Sequence, residues 1–389
     1  MQNTMKKRLS FRVKSILLIA LVLMGFSSLA QESSPNTFIG GYAEGSYSQP
    51  LQKGVRYNGK ADFQRMVLYL GHNFNDRLSF FSEIEVEHSK EIWLEQAYLQ
   101  YKIMPQLSLK AGNLLIPMGI INQTHEPNTF NGVFRPTIDN LIIPTTWREM
   151  GFGANGKFDC IGLDYQVYMV NSPLSYSDKG LFSANKFMRD ARQKAAEAIT
   201  SNFNYTARLE WNKVPNLKLG LSGYFGKTSS SLYNGLKEDQ SSSKADSSVL
   251  GISMIGIDAQ YKIGALSLRA QGVKSWIDNT EEYNKLTNQK VGSQNYGAYF
   301  EASVDILKLA SIDTEKELNI FSRYEIYDTQ SKVVANIVKD DKLTRNDLTF
   351  GLGLKLSSNA VVKADYTITN NKAKTDIPDL LNFGIGLSF

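Results

Sequence analysis

Few side chains in this sequence could carry out covalent chemistry. The chain has three histidines and a single cysteine, Cys160. Of the histidines, only His88 directly precedes a hydroxyl nucleophile, Ser89, and one such pair is expected by chance. The sequence contains no phosphate-binding glycine loop, no dinucleotide-binding motif and no spacing typical of metal ligands. We therefore expect no catalytic site, no cofactor and no metal site.

Charged and apolar residues combine in an unusual way at 134–151, which reads FRPTIDNLIIPTTWREMG. Loops are usually polar and lie on the surface, yet this segment carries an apolar run, and Pro136 and Pro144 stiffen it by fixing φ. The candidates for an apolar anchor are Leu141, Ile142, Ile143 and Pro144. The candidates for charged contacts with a solute are Glu126, Arg135, Asp139 and Arg148. What these residues do depends on the elements around them.

Most of the remaining chain alternates apolar and polar residues with a period of two. In 380–389, LLNFGIGLSF, one face is apolar and the other holds Asn, Gly and Ser. Such alternation predicts half-buried β-strands, and the chain has about sixteen of them, each of about 10 residues. The predicted strands are 38–47, 60–74, 77–88, 92–103, 106–116, 147–158, 161–171, 202–213, 216–226, 249–263, 265–276, 291–307, 317–328, 343–356, 359–369 and 379–389.

The connections between these strands alternate in length. Short turns such as 75–76, 104–105 and 214–215 are followed by long loops such as 117–146 and 172–201. Short turns at one end and long loops at the other are typical of a transmembrane antiparallel β-barrel with short periplasmic turns. A soluble β-sandwich would alternate in the same way, but its strands would be shorter. Within 172–201, the stretch 185–199 is expected to form a short helix that covers the barrel.

The N-terminus predicts export. Residues 1–30 contain five basic residues, an apolar run and a small-residue cleavage site, which is the pattern of a secretory signal peptide. Residues 31–389 would then form one barrel domain. Removing five basic residues from 43 leaves 38 basic against 38 acidic residues, so the net charge of +5 reports the export signal. A nucleic-acid partner therefore has no support.

Strand alternation also predicts which side chains face the barrel interior. If apolar residues face lipid, charged residues at the alternate positions line an aqueous lumen. The candidates for the pore wall are Arg65, Glu83, Glu85, Lys110, Arg208, Arg269 and Arg323. For any one of them the simpler alternative is that it solvates the wall and pairs across strands. Acidic positions slightly outnumber basic ones in this assignment, which argues against a strong anion filter in the wall.

The region 111–153 resembles the phosphate-selective porin O and P family. The resemblance rests on a Gly-x-apolar-x-Pro-x-Gly type strand end at 112–119, on His-Glu-Pro at 125–127, on Arg-Pro at 135–136 and on Ile-Pro-Thr-Thr-Trp-Arg-Glu at 143–149. Residues 95–101, EQAYLQY, are also similar to the fourth strand of that family. The resemblance implies a sixteen-stranded, trimeric outer-membrane barrel whose third long loop folds inward and narrows the pore. Counting external connections makes 117–146 the third such loop.

These observations predict a passive outer-membrane porin for small hydrophilic solutes, with anions such as phosphate as candidates. Glu126, Arg135, Asp139 and Arg148 would then form the constriction, while the apolar run anchors the loop. The expected partners are outer-membrane lipid, small solutes or ions, two further copies in a homotrimer, and the assembly machinery that reads a C-terminal aromatic residue, here Phe389. The alternative is a barrel without a channel whose long loops bind partners or serve adhesion.

Overall fold

A computed structural model describes residues 36–335 and 337–389. The predicted signal peptide lies outside the described residues. Sixteen antiparallel strands close into one barrel, which confirms the predicted fold class. They are β1 (Thr37–Leu51), β2 (Lys60–Asn73), β3 (Leu78–Glu87), β4 (Glu91–Met104), β5 (Leu107–Leu115), β6 (Arg148–Phe158), β7 (Leu163–Asn171), β9 (Phe203–Trp211), β10 (Leu217–Lys227), β12 (Gly251–Ile263), β13 (Leu266–Asp278), β14 (Gln294–Asp305), β15 (Glu317–Lys332), β16 (Thr344–Ser357), β17 (Ala360–Asn371) and β18 (Asp379–Ser388).

The first and last strands close the barrel. β1 pairs with β18 from Tyr42 opposite Ser388 to Leu51 opposite Asp379. Beyond the end of β18, Phe389 continues the pairing, because its backbone N–H and carbonyl both bond to Gly41 at 2.9 Å. Closure leaves no unpaired edge, and an unpaired edge would expose backbone donors and acceptors.

The two faces of β18 explain its alternating sequence. Phe383, Ile385 and Leu387 point outward and are exposed, as expected for a lipid-facing surface. Gly384 and Gly386 occupy the opposite face, where the long loop 117–146 lies against them. A Cβ atom on Gly386 would lie 2.5 Å from the Cβ of Pro127, so glycine is required for this close approach.

Short helices and a small second sheet form in the connections between the barrel strands. The helices are α1 (Ile138–Leu141), α2 (Ser243–Ser247), α3 (Thr280–Thr287) and α4 (Ile306–Leu309). The small sheet pairs β8 (Leu174–Tyr176) with β11 (Ser229–Ser230) in parallel. Single 3₁₀ turns form at Arg189–Ala191, Ser231–Tyr233 and Asp341–Leu343. Within the described residues, no helix has both the length and the apolar character needed to cross a membrane.

The predicted helix at 185–199 is wrong apart from the 3₁₀ turn at Arg189–Ala191. Lys194, Ala195 and Glu197 adopt positive φ angles of 53°, 59° and 47°, which interrupt a right-handed helix. The connection between β14 and β15 at the short-turn end contains α4, which forms directly after β14.

Two of the long loops are tied together by buried hydroxyl groups. The Ser175 side chain donates to the backbone carbonyl of Ser248 at 2.6 Å and accepts a hydrogen bond from Thr228 at 2.8 Å. Ser229 and Ser172 share a hydrogen bond of 2.7 Å between their hydroxyl groups. These bonds fix the ends of loops 172–202 and 228–250 against each other.

Candidate functional site

The loop 117–146, called here the inner loop, lies inside the barrel. It leaves from β5 and returns at β6, and it reaches the opposite wall formed by β15 and β16. There the Thr137 hydroxyl donates to Asp347 at 2.7 Å, and the Ile138 N–H donates to Glu325 at 3.3 Å. In the strand order of the closed barrel, β15 and β16 lie half of the barrel away from β5 and β6. The inner loop therefore crosses the lumen, as predicted from the sequence.

Both ends of the inner loop are held by one side chain. The Asn122 amide donates to the carbonyls of Ile116 at 2.7 Å and Trp147 at 3.0 Å, and its oxygen accepts from the Trp147 N–H at 2.7 Å. Asn122 is fully buried. The bond from the Trp147 N–H satisfies a buried backbone donor, while the two carbonyls also accept backbone N–H groups, from Met118 at 2.8 Å and from Ile116 at 2.9 Å.

The apolar run of the inner loop packs in two clusters. Ile142 and Ile143 are fully buried in a cluster with Met118, Trp147 and Val273. Leu141 is partly buried and packs against a second cluster, whose members are Ile120, Ile121, Phe130, Ile138, Tyr299 and Tyr327. Pro144 is also buried, four residues before β6 begins. The four candidate anchor residues thus lie between the loop and the wall.

Asp139 does not face an open space. It is fully buried at the start of α1, and its Oδ1 accepts a hydrogen bond of 2.8 Å from the Gln271 amide on β13. Burial raises the pKa of Asp139 to about 7. The sequence predicted that Asp139 lines the aperture, but in the structure α1 turns its side chain toward the wall.

Glu126 also lies away from the open space. It is half-buried and accepts a hydrogen bond of 3.4 Å from the Tyr69 hydroxyl on β2. The neighbouring Pro127 packs against Gly386 on β18. Of the four charged residues that the sequence singled out, the structure brings only Arg135 and Arg148 together.

Arg135 and Arg148 line a cavity of about 710 Å³ on the long-loop side of the inner loop, called here the long-loop cavity. Six basic side chains line it, namely Arg65, Arg135, Arg148, Arg189, Arg192 and Lys194. Four acidic side chains oppose them, namely Glu44, Glu85, Glu87 and Asp190. Two of the arginines are paired, because Arg65 lies 2.7 Å from Glu44 and Arg135 lies 3.8 Å from the same carboxylate.

The other four cations of the long-loop cavity lack such partners. Across 36–335 and 337–389, Arg148, Arg189, Arg192 and Lys194 form no salt bridge with a carboxylate. The Arg148 guanidinium donates to the Thr146 hydroxyl at 3.2 Å. Guanidinium groups bind carboxylate and phosphate groups through paired hydrogen bonds. In the described parts of the chain, the guanidinium groups of Arg148, Arg189 and Arg192 are not engaged in such a pair.

Three of these cations come from loop 172–202, called here the covering loop. Arg192 donates to the Thr145 carbonyl at 2.8 Å, and Arg189 donates to the Asn140 carbonyl at 3.4 Å. Lys194 lies 4.1 Å from the centre of the Trp93 ring. Burial and the neighbouring charges of Arg189 and Arg148 lower the pKa of Arg192 to about 9. The sequence analysis predicted only that this loop covers the barrel. Its three basic residues, at 189, 192 and 194, were the signal that could have indicated a charged site.

A second cavity of about 510 Å³, the short-turn cavity, lies on the other side of the inner loop. Its basic side chains are Lys218, Lys262, Arg269, Lys308, Lys355 and Lys363, against the acidic Asp305 and Glu317. Phe130 lines both cavities. The middle of the inner loop therefore separates them, and sequence reasoning missed Phe130 because an aromatic residue in a loop carries no periodic signal.

Two wall residues fix the middle of the inner loop. Lys363 on β17 donates to the carbonyls of Phe130 at 2.6 Å and Gly132 at 2.9 Å. Arg269 on β13 donates to the Thr129 carbonyl at 2.6 Å. These bonds neutralise carbonyl dipoles and hold the loop between the cavities.

The remaining wall candidates are mostly compensated. Arg208 pairs with Asp258 at 2.7 Å and lies 3.2 Å from Glu210. Arg323 contacts Glu325 at 2.8 Å and Glu301 at 3.2 Å. Asp258 and Glu301 lie on other strands, while Glu210 and Glu325 lie on the same strand as their arginine. Pairing along the wall is the simpler alternative that the sequence left open for them.

Three further wall candidates lie on β3 and β5. Glu85 lies 3.4 Å from Arg65, which also compensates its charge. Lys110 is partly buried, with its ammonium 4.4 Å from the centre of the Tyr98 ring. Glu83 is buried beside Glu95 and His125, away from both cavities.

Comparison of the sequence with other proteins identifies a relative. No protein-family model matches the chain. A protein of Aquifex aeolicus (strain VF5), named as uncharacterised, is 32% identical over 347 residues, which are 87% of this chain and 77% of that protein. The chain belongs to the family of this Aquifex protein.

Solved structures with the same architecture share little sequence with the chain. The anion-selective porin of Comamonas acidovorans has a TM-score of 0.53 at 12% identity, covering 91% of this chain and 99% of its own. OmpT of Vibrio cholerae, an outer membrane protein in its trimer form, has a TM-score of 0.56 at 10% identity, covering 92% and 100%. At these identities the likeness concerns the fold.

Proposed function

We propose that the chain is a passive outer-membrane porin for small hydrophilic solutes, with a preference for anions. One observation carries the proposal: the inner loop divides a closed sixteen-stranded barrel into two cavities that both carry more basic than acidic side chains. A sixteen-stranded barrel encloses an aqueous channel, and rings of basic side chains select anions in such pores.

The anion preference is assigned to the two cavities rather than to the wall as a whole. Wall arginines such as Arg208 and Arg323 are neutralised by carboxylates, so they contribute little net field. The unpaired Arg148, Arg189, Arg192 and Lys194 are concentrated at one entrance. Phosphate is the candidate solute because arginine recognises phosphate through paired hydrogen bonds, and because the motifs of 111–153 resemble the phosphate-selective porin O and P family.

Planar-bilayer recording of the purified, folded barrel tests this function. We expect discrete conductance steps, and a reversal potential in a KCl gradient that reports anion preference. Arg135→Ala and Arg148→Ala should each shift the reversal potential toward cations. Lys179→Ala removes the same charge from an exposed site of the covering loop outside the long-loop cavity and should leave it unchanged.

The second candidate function is a barrel without a channel whose long loops bind partners or serve adhesion. The buried hydroxyl network that ties loops 172–202 and 228–250 together favours it, because ordered loops present a fixed surface. A folded barrel that gives no conductance steps at any salt concentration would overturn the porin proposal and leave this one. Conductance steps with a preference for cations would overturn the proposed anion preference and leave the porin proposal in place.

Location and assembly are part of the proposal. We assign the chain to the outer membrane of a Gram-negative bacterium, after export through the cleaved signal peptide 1–30, in contact with outer-membrane lipid. Phe389, whose side chain is exposed next to β1, is available to the assembly machinery. A homotrimer is the proposed assembly, which the resemblance to the O and P family implies. Light scattering of the detergent-solubilised protein measures the number of copies.

A further inference from the structure

Three acidic or imidazole side chains meet in a buried position outside both cavities. They are Glu83 on β3, Glu95 on β4 and His125 on the inner loop, and one ligand atom from each lies within 4.8 Å of the others. Glu95 is fully buried, and His125 is 2% exposed. The pair Glu95 Oε2 and His125 Nε2 is 3.3 Å apart.

The polar atoms of this cluster lack hydrogen-bond partners. Within the described parts of the chain, Glu83 Oε2, both carboxylate oxygens of Glu95 and His125 Nε2 are buried without a hydrogen bond. Leaving such atoms unpaired is costly, and each instance requires an explanation. Four such atoms in one cluster indicate a shared ligand that contacts all of them.

The backbone directs Glu95 into the cluster. Glu83 pairs with Gln96 and Ile84 pairs with Leu94, so Glu95 is the extra residue of a β-bulge. Bulges re-aim a side chain and often lie next to functional sites. The bulge therefore places a carboxylate where regular pairing would not.

The other ring nitrogen of His125 has a partner. Nδ1 lies 3.2 Å from the carbonyl oxygen of Asn122, and it must carry a proton to donate to that oxygen. Histidines that bind metals are oriented by such a bond from the second nitrogen to a carbonyl. This arrangement leaves Nε2 to face the two carboxylates.

A proton alone would satisfy the cluster incompletely. If Nε2 were protonated, it could donate to one carboxylate oxygen, leaving the other Glu95 oxygen and Glu83 Oε2 unpartnered. A cation at the centre would contact all three side chains. In a tetrahedral zinc site with bonds of about 2.0–2.2 Å, ligand atoms lie about 3.4 Å apart. The Glu95–His125 distance of 3.3 Å matches this spacing. The bound of 4.8 Å for all three ligand atoms is wider, so the side chains would close in on a bound ion.

We propose that Glu83, Glu95 and His125 bind a divalent transition-metal cation of the zinc class. One imidazole nitrogen and two carboxylates suit such an ion better than calcium or magnesium, which take oxygen ligands. The cation would join the inner loop to β3 and β4, and the Tyr42 ring, 5.9 Å from the His125 ring, closes one side of the site. The site holds the loop and takes no part in solute passage.

Metal titration of the folded, full-length barrel tests the proposal. After removal of metal with a chelator, the protein is titrated with Co²⁺ as a spectroscopic substitute and with Zn²⁺, with metal content measured by mass spectrometry. We expect one cation per chain, visible absorption from bound Co²⁺, and a rise in thermal stability with Zn²⁺ concentration. Glu95→Gln should weaken binding by at least about tenfold, as the loss of a ligand costs no less than that of a supporting residue.

Glu91→Gln is the matched control, because Glu91 lies on β4 like Glu95, is exposed and lies outside the cluster. It should bind the cation as the unaltered protein does. If Glu95→Gln does not fold, Glu83→Gln replaces it, with folding checked by heat-dependent mobility on a gel. Absence of a bound cation in the unaltered protein, or equal binding by the cluster variant and the control, would overturn the proposal.

Discussion

The ammonium group of Lys363 lies 2.6 Å from the Phe130 carbonyl oxygen and 3.9 Å from the centre of the Phe130 ring. This one side chain of β17 thus holds the residue that separates the two cavities. The contact joins the last third of the chain to the inner loop across 233 sequence positions.

Lys363→Met should loosen the middle of the inner loop. The change removes two charge-assisted hydrogen bonds, each worth about 1.5–3 kcal/mol, so the loop should fluctuate more in the lumen. We expect noisier and larger single-channel currents. Lys218→Met is the control, since Lys218 lines the same cavity but pairs with Glu210 at 3.5 Å rather than with the loop. Equal noise in the two variants would contradict a holding role for Lys363.

Asp139 should make the inner loop sensitive to pH. Burial raises its pKa to about 7; Glu325 and Asp258 act in the same direction, while the Gln271 hydrogen bond and Arg323 oppose it. In an unfolded chain the carboxyl has a pKa of about 3.9, so between these values the folded state binds more protons. Stability therefore falls as pH rises from about 4 to about 7.

Asp139→Asn mimics the protonated carboxyl and should remove this dependence. We expect the variant to be more heat-stable than the unaltered protein at pH 8 and similar to it at pH 4, measured by thermal melting in detergent. Asp190→Asn alters an exposed carboxylate and serves as the control. A melting difference that is the same at both pH values would refute the assignment to Asp139.

The barrel could be predicted from the sequence because each strand meets two chemically different surroundings. Phe383 and Gly384 fall on opposite faces of β18, since the outer face accepts a large apolar residue and the inner face lies against the inner loop, so β18 keeps a period of two. The inward course of the inner loop followed from its apolar run and from a family resemblance.

Side-chain directions inside the loops could not be predicted in this way. Asp139 turns to the wall because α1 forms around it, and the four residues of α1 are too few to show a period. Glu95 reaches Glu83 through a bulge, and His125 joins them from a loop 30 positions further along. Such encounters depend on non-local register, which spacing in one sequence does not encode.

Gly386→Ala should displace the inner loop. The new Cβ would lie 2.5 Å from the Cβ of Pro127, so the loop must move by several tenths of an ångström or more. Overpacking of this kind costs about 1–3 kcal/mol, and we expect altered conductance together with a lower melting temperature. Gly353→Ala is the control, because its nearest neighbour would be Val361 at 3.9 Å. An unchanged channel in Gly386→Ala would show that the loop is not packed on β18.

Phosphate should compete with chloride at the long-loop cavity. Arg192 and Arg189 are brought there by the covering loop, form no salt bridge in the described parts of the chain and have lowered pKa values, chiefly through burial. Both remain protonated at neutral pH, and their mutual repulsion would be relieved by a bound anion. We therefore expect added phosphate to reduce the chloride current of the unaltered protein in a saturable way.

The double variant Arg189→Gln with Arg192→Gln should require a several-fold higher phosphate concentration for the same reduction. Lys179→Gln lies in the same loop, is exposed and lies outside the long-loop cavity, so it should behave like the unaltered protein. A phosphate effect that persists in the double variant would move the anion site to the short-turn cavity, where Lys363 and Arg269 are the nearest basic groups to Phe130. No phosphate effect in any variant would mean that the cavities attract small anions without selecting phosphate.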